Sequence, residues 1–175
     1  VKIVTTHLSA DFDAFAAAVV CAGRLYPDHR VVFAGSLEAA VRRFVEESGL
    51  AFPQVKLKEV RRSHLEHAVV VDTLNPRRLG EVWELIRGAG CPVTLIDHHE
   101  TERESIGATE VISRRVGSTC TLVAGLMEER GLAPTPEEAS LLLMGIYEDT
   151  GGLSYRETAP EDLRRAADLI AAGGS

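Results

Sequence analysis

The chain has 175 residues, 45% of them hydrophobic and 26% charged, the balance of an ordinary globular domain with a sizeable core. Its net charge of −7 argues against a broad nucleic-acid-binding face, though not against a site that engages only the end of a nucleic acid. No apolar run approaches the roughly 20 residues of a membrane span, and no signal-peptide pattern is present. Cys21, Cys91 and Cys120 are odd in number and far apart, which fits reduced thiols in a cytoplasmic protein better than a disulfide framework or a zinc site.

In chain order, Lys2-Ile3-Val4-Thr5-Thr6 reads as a strand that runs into His7-Leu8-Ser9-Ala10-Asp11-Phe12-Asp13. A helix follows from near Phe12 to Leu25. Its Ala-rich, all-round apolar sequence is that of a buried helix, and Tyr26-Pro27-Asp28 breaks it. Arg30-Val31-Val32-Phe33-Ala34 reads as a second strand, and Ser36 as the cap of a helix that Gly49 ends. Val55-Lys56-Leu57-Lys58-Glu59-Val60 alternates like a strand with one wet face. Ala68-Val69-Val70-Val71 is a strand ending at Asp72, and Asn75-Pro76 opens a helix to about Arg87. Gly88 and Gly90 then precede the strand Val93-Thr94-Leu95-Ile96, which delivers Asp97-His98-His99. From Gly117 the chain is helical: Ser118 caps one helix, stopped by Gly131; Thr135-Pro136-Glu137-Glu138 is a capping box; Thr158-Ala159-Pro160-Glu161 opens a third helix.

This alternation predicts an α/β fold, a doubly wound, mostly parallel five-stranded sheet with helices on both faces and a helical C-terminal part. Residues 1–175 read as one domain, sheet to about 115 and helices from about 117. A first residue other than Met, and a last helix running straight into Gly173-Gly174-Ser175, read as a piece of a longer chain.

Four strand-like or helical runs end in His or Asp, and ligands of open α/β sheets bind just outside the carboxyl ends of the strands. His7, Asp11, Asp13, Asp72, His98 and Asp149 therefore form one candidate set. Asp11 and Asp13, two apart, point to one side if the backbone there is extended. Gathered carboxylates repel one another unless cations sit between them. Carboxylates with a few imidazoles and no thiolate favour Mn²⁺ or Mg²⁺ over Zn²⁺. Two such ions can acidify a bridging water and steady a leaving oxygen at phosphorus, so the chemistry points to hydrolysis of a phosphoester or phosphoanhydride. His29, His64 and His67 match no motif and read as surface histidines. Arg42-Arg43, Arg61-Arg62 and Arg77-Arg78 read as solvated faces, while Arg114 and Arg115, just before Gly117-Ser118-Thr119, are better candidates for a phosphate.

Asp97-His98-His99, with His7, Asp11 and Asp13 upstream, Asp72 between and Asp149 downstream, resembles the DHH phosphoesterase superfamily along essentially the whole chain. That group includes RecJ-type exonucleases, oligoribonuclease/pAp phosphatases, family II inorganic pyrophosphatases and exopolyphosphatases. Ser9-Ala10-Asp11-Phe12-Asp13-Ala14, Leu25-Tyr26-Pro27-Asp28, Phe33-Ala34-Gly35-Ser36, Val116-Gly117-Ser118-Thr119 and Ile146-Tyr147-Glu148-Asp149-Thr150-Gly151 are similar to one branch. In it the module opens a bacterial chain that continues with a DHHA1 region, CBS domains and a tRNA nucleotidyltransferase/poly(A) polymerase-type domain.

The resemblance implies two divalent ions, Mn²⁺ before Mg²⁺, with His7, Asp11 and Asp72 on one and Asp13, Asp72, His98 and Asp149 on the other. It implies Asp72, His98 and His99 as catalytic residues, with His99 on the substrate phosphate. Asp97 would orient a neighbouring histidine, and Arg114, Arg115, Gly117, Ser118 and Thr119 would meet the substrate's phosphate, the last three at a helix N-terminus. The implied substrate is a nucleotide, short oligonucleotide, or RNA or tRNA end; partners are the later domains of the same chain, with a homodimer left open. A non-catalytic RNA-positioning module, or a pyrophosphatase or exopolyphosphatase, is the competing reading. Many relatives carry Asn-Pro-Asp where this chain has Ser9-Ala10-Asp11, which changes a supporting hydrogen bond but no ligand.

Overall fold

The computed structural model describes residues 1–61, 63–99 and 105–175. Arg62, one of the arginines read as a solvated face, lies outside the described residues. Five strands, β1 (Lys2–Thr6), β2 (Arg30–Phe33), β3 (His67–Val71), β4 (Val93–Ile96) and β5 (Glu110–Ile112), form one sheet in the order β2-β1-β3-β4-β5. Every pairing is parallel, with Val4 opposite both Val31 and Val69 and Val70 opposite Leu95. Parallel strands need covered faces, and β1, β3 and β4 are buried almost throughout. The strand order reverses between β1 and β3, so a crevice opens at their carboxyl ends.

The helices are α1 (Phe12–Val20), α2 (Ala39–Ser48), α3 (Leu57–Val60), α4 (Gly80–Ala89), α5 (Thr119–Glu129), α6 (Pro136–Asp149) and α7 (Pro160–Ala171). They divide two cores between the sheet's faces. Phe15, Ile96, Cys120, Leu142, Ile146 and Leu169 belong to the core that α1, α5, α6 and α7 share. Ile3, Val70, Leu79, Val82 and Leu95 belong to the other, which α3 and α4 close. Residues after Gly117 therefore complete the sheet's own core rather than standing beside it. α1 is buried along almost its whole length, as its composition requires, and ends in a wider turn, Cys21–Leu25, closed by the Tyr26 amide on the Cys21 carbonyl.

Three expected elements differ. The alternating stretch 55–60 is not a strand: Leu57–Val60 is a helical turn, because Leu57 and Val60 sit at i,i+3 and both turn inward. The fifth strand is Glu110–Ile112, a short and mostly exposed edge with too few residues to show a period. Ser36 caps nothing; Leu37 pairs with Ala10, and α2 starts only after Glu38 donates its amide to the Ala10 carbonyl at 3.0 Å. Asn75 does act as an N-cap, its Oδ1 accepting from the Arg77 amide at 3.0 Å, but onto a short 3₁₀ turn, Pro76–Leu79, from which α4 continues. The Thr135 box and the left-handed Gly49 and Gly90 ends form as read.

Candidate metal centre

The six side chains of the candidate set converge on the carboxyl end of the sheet at the β1–β3 crevice. His7 follows β1, Asp72 follows β3, His98 lies just beyond β4, and Asp149 is the last residue of α6. Asp11 and Asp13 are not in extended backbone: Asp11 is the N-cap of α1, accepting from the Ala14 amide at 3.0 Å, and Asp13 is in the first turn. A helix start, not a pleat, sends the two carboxylates to neighbouring places. Asp72 adopts the left-handed region, φ 59°, which a non-glycine residue holds only under restraint from its surroundings.

Ligand-type atoms fall into overlapping groups, all within 4.8 Å of one another: His7, Asp11 and Asp72; Asp13, Asp72, His98 and Asp149; and Asp72, Asp97, His98 and His99. His7 Nε2 lies 3.2 Å from Asp72 and 3.8 Å from Asp11. His98 Nε2 lies 3.2 Å from Asp149 and 3.5 Å from Asp72. Asp72 is thus the one carboxylate shared by every group.

The tautomers follow from geometry. His7 Nδ1 is 2.8 Å from the Leu8 carbonyl and His98 Nδ1 is 3.0 Å from the Val116 carbonyl. A carbonyl only accepts, so each Nδ1 carries its proton and each neutral ring presents an Nε2 lone pair to the carboxylates. His98 Nε2 is buried with no hydrogen-bond partner among the described residues, as a nitrogen placed for a cation is. His99 Nδ1 donates to Asp97 Oδ1 at 2.6 Å, which turns its half-exposed ring outward.

Charge accounts for the titration of the cluster. Burial, with Asp72 and Asp149 alongside, holds Asp13 well above the ordinary carboxylate range, and burial with Asp72 raises Asp11. Burial opposes ionisation of Asp72 too, but His7 and His98 beside it hold it low. Burial also works against a charge on His98, yet the carboxylates of Asp149 and Asp72, with Asp13 behind them, push it up to about 11. Asp97 raises His99, against burial. With no cation the nest keeps protons; divalent ions would take their place.

The turn 117–119 is not open to a substrate. Ser118 and Thr119 are fully buried, and the amides of Thr119 and Cys120 donate to Asp13 at 2.7 and 2.9 Å. Ser118 Oγ donates to the same carboxylate at 2.5 Å, Thr119 Oγ1 donates to Asp72 at 2.8 Å, and the Gly117 amide donates to Asp162 at 2.8 Å. The N-terminus of α5 does bind an anion, but that anion is Asp13. Ser118 and Thr119 therefore hold Asp13 and Asp72 in place and Gly117 holds Asp162, a correction to their expected contact with phosphate. The buried Asp162, which also accepts from Thr121 at 2.5 Å and the Ala159 amide at 2.6 Å, was missed, since an acid in a helix's first turn looks like any other.

Clefts of about 560 and 580 Å³ flank His98 and His99. The first is lined by Leu74, Val111, Arg114 and Arg115 among others, and the second by Arg115, Arg156, Glu157 and Thr158. Arg114 is exposed and paired to Glu129 at 2.7 Å. Arg156 carried no signal in the sequence, being a single arginine outside any motif. His29 is not a surface residue: it is 4% exposed, and its Nε2 lies 2.7 Å from Nδ1 of the half-buried His67. A smaller hollow of about 320 Å³, rimmed by apolar residues beside Met127, Leu132 and Leu142, lies in the helical layer and shares no lining residue with these clefts.

A parallel α/β domain whose strand ends gather carboxylates and imidazoles around one buried aspartate has the donor set of a divalent-metal site. The chain belongs to the DHH family, matching its N-terminal domain over residues 2–146. It is 37% identical over 174 residues to an A-adding tRNA nucleotidyltransferase of Geobacter sulfurreducens, covering 99% of this chain and 20% of that protein. It is 37% identical over 78 residues, 45% of this chain and 24% of the relative, to the bifunctional oligoribonuclease and PAP phosphatase NrnA of Thermus thermophilus. The chain therefore spans about a fifth of the length of the first of these relatives. Among solved structures, an exopolyphosphatase-related protein from Bacteroides fragilis superposes with a TM-score of 0.81 at 19% identity, over 99% of this chain and 53% of that one. RecJ of Thermus thermophilus, in complex with Mn²⁺, does so with a TM-score of 0.52 at 17% identity, over 98% and 24%. No described helix is long and apolar enough to cross a membrane.

Proposed function

We propose that the chain is a two-metal phosphoesterase domain, the N-terminal module of a tRNA nucleotidyltransferase-type protein, acting on a nucleotide, short oligonucleotide or RNA end. The observation that carries this is the sharing of Asp72 between two donor sets, each completed by a histidine whose Nε2 lone pair is fixed inward by a backbone carbonyl. His7, Asp11 and Asp72 would hold one divalent ion, and Asp13, Asp72, His98 and Asp149 the other. Four carboxylates and no thiolate suit Mn²⁺ or Mg²⁺, and the RecJ likeness favours Mn²⁺. Bound as a pair, such ions supply an acidified water and charge stabilisation for displacement at phosphorus.

The protein's own groups do the rest. Asp72, restrained by His7 and the Thr119 hydroxyl, fixes the spacing of the two sets. Asp97 holds the His99 ring so that its Nε2 faces the clefts, where it contacts the phosphoryl oxygens and, once protonated, offsets charge that grows on them. Arg114 and Arg115 orient the remainder of the substrate from the rim.

The likeness to the Geobacter protein over nearly the full chain also favours a role in nucleotide addition to tRNA. One experiment separates the readings. The 175-residue chain, and the same chain extended through its next domain, are given Mn²⁺ with short oligoribonucleotides, adenosine 3′,5′-bisphosphate and pyrophosphate. Release of phosphate or mononucleotide by either supports the esterase. Binding of RNA ends without turnover by both leaves the module as a platform for nucleotide addition.

A further inference from the structure

We infer that Arg156 is a substrate-positioning residue that binds a second phosphate, so that the site prefers substrates carrying two phosphates over those carrying one; this rests on the phosphoesterase reading above. The starting point is charge. The two proposed ligand sets contain four carboxylates, Asp11, Asp13, Asp72 and Asp149, whose charge two divalent ions would cancel, and Asp97 beside them is a fifth. A filled centre then carries no surplus of positive charge, in a chain of net charge −7. Attraction for a polyanion has to come from cations on the rim.

Three arginines line the two clefts around His98 and His99: Arg114, Arg115 and Arg156. Arg114 is engaged by Glu129 at 2.7 Å. Arg156 is exposed and forms no ion pair among the described residues, although Glu157 lines the same wall. Arg164 and Arg165, on the helix that follows, are both paired with Glu161. An arginine left without an acid at a cleft, with paired arginines close by in sequence, is placed for a ligand's anion.

The loop that carries it is built to stay put. Thr150 is fully buried, and its carbonyl accepts from the amides of Ser154 and Tyr155, both at 2.9 Å. Thr150 Oγ1 accepts from the Leu153 amide at 2.9 Å, and Ser154 Oγ donates to the Gly151 carbonyl at 2.6 Å. The Thr158 amide closes the turn on the Tyr155 carbonyl at 3.1 Å. This segment starts at Asp149, so Arg156 is held in fixed relation to a proposed ligand. The cleft of about 580 Å³ runs from His98 and His99 to Arg156 and is of ligand size, far more than one phosphoryl group fills. With the reacting phosphate beside His99, the next part of the substrate lies along this cleft, and a guanidinium on its wall selects a phosphate there.

The test titrates adenosine 3′,5′-bisphosphate and adenosine 5′-monophosphate into the Mn²⁺-loaded 175-residue chain by calorimetry. Wild type, R156A, R156K and the remote control R164A are compared, and hydrolysis is followed in parallel. Wild type should bind the bisphosphate more tightly. R156A should lose about tenfold of that preference, the value of one charge-assisted contact, and R156K should restore part of it. R164A, which removes the same charge elsewhere, should keep the wild-type ratio. Equal loss for both nucleotides, no loss, or the same change in R164A overturns the proposal. If wild type binds the bisphosphate selectively but hydrolyses neither, the subsite stands and the esterase reading falls. If wild type binds neither, both fall.

Discussion

The two ends of the sheet hold the same kinds of residue and use them in opposite ways. At the amino end, Asp28, His29, His67, Thr94 and Glu110 form an unbroken hydrogen-bonded row, with spacings of 2.9, 2.7, 3.1 and 3.0 Å. Lys2 adds a cation on Asp28 at 2.5 Å. Both histidines have partners on both nitrogens, and each gives up its proton more readily than usual, because burial and, beside it, Lys2 disfavour the charge. At the carboxyl end, the carboxylates of Asp11, Asp13, Asp72, Asp97 and Asp149 crowd around His7 and His98, Asp72 sits at a positive φ, and the buried His98 Nε2 lies 3.2 Å from Asp149 without a well-directed hydrogen bond among the described residues. There the histidines hold their protons more tightly. A row that satisfies itself is architecture; a nest that does not is waiting for positive charge.

The comparison breaks most visibly at Asp72. Asn tolerates its left-handed backbone and keeps its size, so Asp72→Asn preserves the fold while removing the shared carboxylate. Losing even a group that only supports a ligand typically costs roughly 10–100-fold in metal affinity. Mn²⁺ affinity measured by calorimetry should therefore fall about 100-fold or more, with hydrolysis lost in step and the circular-dichroism spectrum retained. Unaltered Mn²⁺ binding would mean that Asp72 is only a structural partner of His7 and Thr119.

A smaller effect sharpens the contrast through pH. His98, pushed up to about 11, is protonated in the metal-free protein across the neutral range, and the protons on Asp11 and Asp13 are also held more tightly than usual. An incoming ion must displace what they hold. Mn²⁺ affinity should rise about tenfold per pH unit for each proton released. Calorimetry in buffers of different ionisation enthalpy counts those protons, and a pH-independent affinity would show that the nest is not the site.

How much of this was legible follows from where each signal resides. The parallel sheet could be read because β1, β3 and β4 are apolar runs that end in polar chemistry; His7, Asp11, Asp13, Asp72 and His98 could be grouped because each sits at such an end or just beyond it, and Asp149 because it closes an apolar run of α6. The edge strand Glu110–Ile112 was hidden by its shortness, and stretch 55–60 misled because Val55, Leu57 and Val60 satisfy an alternating and a helical spacing almost equally. The role of Gly117, Ser118 and Thr119 was invisible for another reason. A helix N-terminus announces that it binds an anion, but only the packing of α1 against α5 shows that the anion is Asp13. His29 and His67 looked like surface residues because their partners lie on different strands, and nothing local in the sequence pairs them.

The smallest expected effect lies at that amino end, and it checks that the two ends are independent. His67→Ala leaves His29 Nε2 and the Thr94 hydroxyl short of a partner, which should cost about 1–2 kcal/mol of stability. It should leave Mn²⁺ affinity unchanged, since sites far apart without shared partners act additively. Its pH signature has a definite sign. Because His29 and His67 both lie below the ordinary 6.5, they contribute stability above 6.5 and lose it as the pH falls through their folded values. His98, raised, does the opposite: its contribution is complete below 6.5 and fades only as the pH climbs toward about 11. Acid should thus loosen the Asp28–Glu110 row while the metal-free nest keeps its protons. With Lys2, Asp28, Glu66 and Glu110 facing the row unchanged, replacing His67 removes one of its two acid-sensitive groups. Denaturant unfolding at about pH 7 and about pH 5 should then show a smaller acid-induced loss in His67→Ala than in wild type. An equal or larger loss would place the acid sensitivity elsewhere, and a shifted Mn²⁺ affinity would tie the two ends of the sheet together.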